Sequence, residues 1–301
     1  MRKGKCTVLM STYNGDLYLT EQIESILNQK NVEINIVVRD DGSTDQTINI
    51  LEKYANQGLL EWYSGHNIGP AKSFLDLLVK TKSDNFIAFA DQDDVWIEDK
   101  IYRALEMMNY ETDIPLLYIG NEYKVDSNLK IIKTSFRNNI IDFMDLIYKN
   151  TAVGCTMVLN SSLMKIINEY QPKSLIMHDW WIHIVCKSTN IKIIYDDYQS
   201  VLHRIHSNNA TVKIDSNLRS RVKSRLKRLQ SRKSILSSQI IELFFGYSKR
   251  IDSNKLKYMM YFIDYKRLHK VKVKLLLFTL KRKISFRARL LNLYLILHNN
   301  I

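Results

Sequence analysis

INIVVRDDGSTDQT, residues 34–47, is the stretch whose reading decides the fold. Ile34–Val38 is rich in β-branched residues, which suit a pleated, buried strand. Asp40-Asp41-Gly42 ends that run with a turn signal. Ser43 and Thr44 can then cap a helix that carries Ile48, Leu51 and Tyr54 on its inner face. A strand, a short acidic turn and a helix make half of a βαβ unit, and the pattern recurs on both sides. Thr7–Met10, Leu60–Tyr63 and Phe86–Ala90 read as further strands. Leu19, Ile23, Ile26 and Leu27 recur at i, i+4, i+7 and i+8, one face of a helix. Phe74, Leu75, Leu78 and Val79 mark a third helix, and Ile101, Leu105 and Met108 a fourth. The pattern predicts an α/β fold over residues 1–110, with a mostly parallel, Rossmann-like sheet flanked by helices.

Beyond residue 110 the reading is less regular. Leu116–Ile119 looks like a strand and Asp126-Ser127-Asn128 a hairpin turn. Cys155–Leu159 is strand-like and is followed by a helix with Met164 and Ile167. A helix is expected from Asp179 and a late strand over Ile191–Tyr195. After residue 212 the period becomes helical, with Leu218, Val222, Leu226 and Leu229 at i, i+4, i+8 and i+11. The charge shifts at the same place. Residues 213–301 hold 23 Lys/Arg against 4 Asp/Glu, whereas residues 1–212 hold 21 against 27, within a net charge of +13. The expected organisation is an α/β domain over 1–212 (halves 1–110 and 111–212) and a basic α-helical extension over 213–301. Such an extension seeks a polyanion or an anionic membrane surface.

The chain has 301 residues, 46% of them hydrophobic, with 3 prolines and 9 glycines, which excludes collagen-like and low-complexity classes. Its longest clean apolar runs, such as Leu275–Phe278, fall far short of the ~20 residues a spanning helix needs. Cys6–Met10, behind the basic start, is too short for a signal-peptide core. Cys6, Cys155 and Cys186 are odd in number and lack metal-ligand spacing, so a disulfide framework is not expected. These features predict a reduced, cytoplasmic protein, held peripherally at the inner face of the plasma membrane by its basic helices.

Two acidic clusters stand at predicted strand ends: Asp40-Asp41-Gly42 after the second strand and Asp91-Gln92-Asp93-Asp94 after the fourth. Strands of a parallel sheet end on one edge, and ligands bind outside it. The two clusters therefore face one crevice, together with Ser11-Thr12-Tyr13-Asn14 from the first strand. Crowded carboxylates repel unless a cation or sugar hydroxyls lie between them. Oxygen ligands of this kind suit Mg²⁺ or Mn²⁺.

VLMSTYNG (8–15), RDDGSTDQT (39–47), NIGPAKSF (67–74) and DQDDVW (91–96) resemble, in order, the nucleotide-sugar domain of family 2 glycosyltransferases. MHDWW (177–181) and HRIHSNNAT (203–211) resemble that family's acceptor-side elements. With GCTMVLN (154–160), the set most resembles bacterial rhamnosyltransferases of cell-wall and capsular polysaccharide synthesis. The resemblance spans about residues 5–212 and implies a glycosyltransferase A-type fold. It implies a nucleotide-sugar donor, with dTDP-rhamnose as the best guess, and a lipid-linked saccharide acceptor. By resemblance, Ser11, Tyr13, Asp40 and Asp41 lie where base and ribose bind, Tyr13 offering its ring. Asp91 falls near the ribose, Lys72 near phosphate, and Asp93 and His206 at the metal. Asp179 is the expected general base of an inverting transfer, desolvated by Met177, Trp180 and Trp181. The chain departs from the family in having His178-Asp179 for Glu-Asp and His203-Arg204 for Tyr-Arg.

Other readings compete with this one. A UDP-hexose (galactose or glucose) transferase uses the same scaffold. A nucleotidyltransferase would use similar acidic clusters, but the first βα turn has no Gly-rich, basic phosphate loop. A nucleic-acid-binding protein is suggested only by the basic tail, whose Lys and Arg alternate with Leu and Ile rather than with stacking aromatics.

Overall fold

The computed structural model describes residues 4–82, 85–134, 141–206, 235–264 and 269–281, with 289, 293, 296 and 297. The first half alternates as read: β1 (Gly4–Thr12), α1 (Asp16–Leu27), β2 (Val32–Asp40), α2 (Thr47–Asn56), β3 (Glu61–Ser64), α3 (Pro70–Lys80) and β4 (Phe86–Ala90). Then follow β5 (Val95–Trp96), α4 (Lys100–Met107), β6 (Leu116–Val125), β7 (Ile131–Thr134) and α5 (Phe143–Leu146). A 3₁₀ turn (Gly154–Thr156) leads into β8 (Met157–Asn160), α6 (Ser161–Asn168), α7 (His178–Ser188) and β9 (Lys192–Arg204). Three C-terminal helices are α8 (Ile235–Tyr247), α9 (Ser253–Asp264) and α10 (His269–Lys281).

Among the described residues the strands form one sheet in the order β3-β2-β1-β4-β8-β6-β9-β5, with β7 paired to β6. β1 to β4 are mutually parallel, so their carboxyl ends share one edge. β8 is antiparallel to both β4 and β6, and β9 runs parallel to β6. Helices cover both faces, so the central strands are apolar on both sides. Val8 and Met10 of β1 enter one core with Leu19 and Ile23 of α1, while Leu9 enters the other with Phe74 of α3 and Trp181 of α7. This is the two-residue period of a strand at work.

Several boundaries differ from the sequence reading. α2 starts at Thr47 and is not capped by Ser43 or Thr44; Asp45 accepts from the Thr47 N–H at 3.0 Å instead. β9 is far longer than Ile191–Tyr195, because its pairing with β6 and β5 carries it to Arg204. α7 begins at His178, with Met177 and not Asp179 at its N-cap. The hairpin turn at Asp126 is as expected, with Asp126 Oδ1 accepting from Asn128 and Lys130 N–H groups at 2.9 and 3.0 Å.

The change of charge at residue 212 is not a break in the core. Leu218, Val222, Leu226 and Leu229 lie outside the described residues. From α8 onward, Ile240, Leu243, Tyr247, Tyr258, Met259, Phe262, Leu275 and Ile296 are buried in the same core as α3, α6 and α7. Polar contacts reinforce the docking: Gln239 Oε1 accepts from Ile176 N–H at 3.1 Å, and the Tyr148 and Tyr258 hydroxyls meet at 3.1 Å. No described helix is long and apolar enough to cross a membrane.

This packing makes a measurable distinction between two tail residues. Met259→Ala, at 0% exposure, should cost about 2–5 kcal/mol in chemical denaturation. Phe245→Ala, at 70% exposure, should stay within about 0.5 kcal/mol. Equal effects would mean that the C-terminal helices do not belong to the folding unit.

Candidate active site

The site begins where β1 and β2 end side by side. Thr12 Oγ1 donates to Asp40 Oδ1 at 2.9 Å, and Ser43 Oγ to the same oxygen at 2.5 Å. Asp40 Oδ2 accepts from the Gly42 and Ser43 N–H groups at 3.0 and 2.8 Å. Gly42 sits at φ +87°, the left-handed region where a side chain is strained. Asp40 is thus 0% exposed with both oxygens engaged. This corrects its expected place: it ties the loop rather than facing the cleft.

Asp41, although 2% exposed, does border the cleft. Its carboxylate lines the cleft, pairs with Arg39, and accepts from the Ile68 and Gly69 N–H groups at 3.0 and 2.8 Å. Arg39, itself buried, donates onward to Asp76 at 3.1 Å and to the His66 carbonyl at 3.0 Å. The 66–69 loop is thereby fixed ahead of α3. Ser11 Oγ donates to Ser73 Oγ at 2.7 Å, joining β1 to α3. Lys72 is exposed on α3 and is not brought to the described lining of the cleft.

Gln92 joins the first strand end to the acidic cluster, accepting from Tyr13 N–H at 2.8 Å and donating to Tyr13 O at 3.1 Å. Tyr13 is left 48% exposed at the mouth. Behind it Asp94, fully buried, accepts from the Arg204 N–H at 3.0 Å and meets His203 Nδ1 at 3.2 Å. Asp93 Oδ2 lies 2.8 Å from His206 Nε2. The end of β9 is therefore pinned onto the end of β4.

Charge crowding shifts the ionisation of these groups. Burial, then Asp94 and Asp93, push Asp91 well above the usual carboxylate range. Burial and Asp94 raise Asp93, against the pull of its hydrogen bond to His206. Burial disfavours a charged His203, yet Asp94, Glu122 and Asp91 outweigh it and bring its pKa to about 10. Carboxylates that resist ionising together accommodate a cation readily. The ligand atoms of Asp91, Asp94, Cys155 and His203 lie within 4.8 Å of one another, an Asp-rich group able to surround a divalent ion. Asp93 and His206 converge beside it with the oxygen and imidazole donors that suit Mn²⁺ or Mg²⁺.

Asp179 enters from the other half. It stands in the first turn of α7, and its Oδ1 accepts from Trp180 N–H at 2.6 Å. Trp180 and Trp181 anchor the helix rather than surround the carboxylate: Trp180 Nε1 donates to Leu146 O at 2.7 Å, and the Trp181 ring packs 6.0 Å from that of Tyr247. Met177 does line the cleft beside Asp179. Asp179 acts electrostatically on Asp91, so the two halves meet.

The result is one cleft of ≈ 930 Å³. It brings together Ser11, Tyr13, Asp41, Asp91, Asp93, Asp179 and His206, and leaves out Asp40 and Lys72. The sequence reading missed Gln92, His178 and His203 as cleft residues. For the two histidines a signal existed, since both are departures from the family pattern.

The cleft sets parallel strand ends against a carboxylate from a second half, an arrangement suited to group transfer. The chain belongs to glycosyl transferase family 2, whose family model matches residues 7–166. A dTDP-rhamnosyl transferase of Shigella flexneri is 31% identical over 222 residues, 66% of this chain and 72% of that one. The UDP-Glc:alpha-D-GlcNAc-diphosphoundecaprenol beta-1,3-glucosyltransferase of Escherichia coli is 28% identical over 62% of this chain and 72% of its own. Among solved structures, Staphylococcus aureus TarS with UDP-GlcNAc aligns with a TM-score of 0.62 at 18% identity, over 99% of this chain and 82% of that one. A mannosyltransferase of Pyrobaculum calidifontis with GDP-Man and Mn²⁺ aligns with a TM-score of 0.56 at 13% identity, over 100% and 86%. Those two likenesses establish the glycosyltransferase A-type fold.

The different places of Asp40 and Asp41 can be tested directly. Asp40→Ala leaves several buried donors unpaired and should lower stability by about 1–3 kcal/mol or more. Loss of nucleotide affinity with an unchanged melting temperature would instead make Asp40 a direct ligand.

Proposed function

We propose that this glycosyltransferase moves a sugar with inversion from a nucleotide-sugar donor to a lipid-linked saccharide acceptor, with a divalent metal. The observation that carries the reading is the single cleft in which strand-end residues Ser11, Tyr13, Asp41, Asp91 and Asp93 meet Asp179 and His206. L-Rhamnose from dTDP-rhamnose is the favoured donor sugar, supported by the Shigella flexneri relative. A UDP-hexose is the second reading, favoured by the name of the Escherichia coli relative, whose diphosphoundecaprenol acceptor also supports a lipid carrier.

Each role follows from position. Tyr13 offers an aromatic face at the mouth, and Asp41 an acceptor for donor groups on the base. Asp93 and His206 would hold the ion, which when bound neutralises the departing diphosphate. The acceptor hydroxyl oxygen forms a bond to the anomeric carbon while the bond from that carbon to phosphate oxygen breaks. The electron pair leaves with the nucleoside diphosphate, and Asp179 takes the hydroxyl proton. Attack from the face opposite the leaving group inverts the centre.

Asp179→Asn should leave donor binding nearly intact while transfer falls by ~10²-fold or more. Wild-type transfer by this variant, or a retained anomeric configuration in the NMR spectrum of the product, would overturn the mechanism. Asp93→Ala should abolish the strengthening of nucleotide binding by Mn²⁺ in calorimetry; equal affinity in chelator for the wild type would remove the metal.

The proposed cellular site is the cytoplasmic face of the membrane. α10 presents Val273, Leu277 and Leu280, each at least 41% exposed, at i, i+4 and i+7 among Lys270, Lys272 and Lys274. An apolar stripe edged by cations suits an anionic interface, at about 1 kcal/mol per cation. The full chain should co-sediment with phosphatidylglycerol vesicles, be released at high salt, and lose binding on Leu277→Asp. Indifference to lipid charge, salt and this substitution would leave α10 as a solvated helix.

A further inference from the structure

His178 lines the cleft beside Asp179, yet the proposed chemistry gives it no task. It opens α7, is 1% exposed, and neither ring nitrogen has a hydrogen-bond partner among the described residues. Its ring lies 4.0 Å from that of Phe74 and 4.9 Å from that of Phe89, centroid to centroid. Gly154 closes another side: a Cβ there would stand 2.5 Å from Nε2, so only glycine lets the imidazole keep its place. Aromatic rings and a bare backbone surround the nitrogens, and both are closed to solvent in this structure; the ring itself borders the cleft, so a ligand seated there meets a nitrogen when the ring turns toward it. A buried polar group left without a partner is disfavoured relative to a hydrocarbon of the same shape, so the imidazole does not stabilise this fold by itself.

We propose that His178 is a specificity-determining residue that hydrogen-bonds a hydroxyl of the transferred, uncharged sugar. The inference rests on the nucleotide-sugar reading of the cleft. Burial brings the pKa of His178 down to about 3, so the ring is neutral, with one N–H donor and one acceptor nitrogen. A hydroxyl both donates and accepts and matches either nitrogen. A sugar carboxylate would enter an apolar wall that offers one N–H and no cation, which disfavours uronic acids. The donor sugar is favoured over the acceptor because Phe74 and Phe89 belong to α3 and β4, elements of the donor half. β4 itself leads directly into Asp91.

The test compares, by calorimetry with Mn²⁺, the affinities of dTDP-rhamnose and UDP-glucose with those of dTDP and UDP. In His178→Leu the ratio of sugar-nucleotide to bare-nucleotide affinity should fall about tenfold, equivalent to about 1.4 kcal/mol, with bare-nucleotide affinity unchanged. His178→Gln, which keeps a donor and an acceptor, should recover most of the ratio. The melting temperature of His178→Leu should match or exceed that of the wild type, which a purely structural histidine would not allow. Should the Leu variant not fold, the same ratio is read in His178→Met. An unchanged ratio in the folded apolar variant overturns the proposal, and so does an unchanged ratio with only acceptor transfer impaired. A wild type that binds neither nucleotide overturns the underlying nucleotide-sugar reading instead.

Discussion

The carboxylate of Asp94 holds the two halves of this enzyme together. It belongs to the loop after β4, on the donor side, yet its partners are the backbone and ring of Arg204 and His203 at the end of β9. A fully buried carboxylate must be paired, and here the pairing spans 110 residues of chain. Because the chain leaving β9 also carries His206 to Asp93, the geometry of that pair depends on this deeper contact. The loop that provides the acidic residues is therefore set from behind by the second half of the chain.

Arg204 extends the same logic outward. Its guanidinium is 1% exposed and donates to the Asp93 carbonyl at 2.9 Å, the Ser127 carbonyl at 2.5 Å and Glu21 at 2.5 Å, and it stacks 4.1 Å over the Tyr18 ring. A planar fork with five N–H groups can hold α1, the β6–β7 turn and the acidic loop at once, which a lysine could not. On the other side of the crevice Arg39 plays the matching part, fixing Asp41 and the 66–69 loop. Two buried arginines thus frame a cleft that carries the carboxylates of Asp41, Asp91, Asp93 and Asp179.

The βα units were legible because their signals are local: β-branched runs, turn residues and a helical period fall within a few residues of one another. The acidic clusters were legible for the same reason. What could not be read was the choice between neighbours. Asp40 and Asp41 are chemically alike, and the hydroxyl of Thr12, 28 residues away, draws one inward. His178 and Gly154 are likewise brought together only by tertiary structure. The C-terminal helices show a different limit. An apolar stripe with helical period suits a protein core and a lipid surface equally, and only the packing of Tyr247, Met259 and Phe262 against α7 and its neighbours decides which residues go inward.

That packing bears on how the chain reaches its fold during synthesis. The core around α3, α6 and α7 is closed by residues as late as Ile296. Until α8 to α10 have left the ribosome, the growing chain carries a wide uncovered apolar surface beside an already formed parallel sheet. Domains ordinarily fold as units as they emerge, and exposed apolar surface on such intermediates favours aggregation. Much of this core therefore waits on α8 to α10, a reliance on non-local contacts that slows folding. A chain cut short before α8 would leave that face of the core uncovered, the kind of surface on which chaperones act.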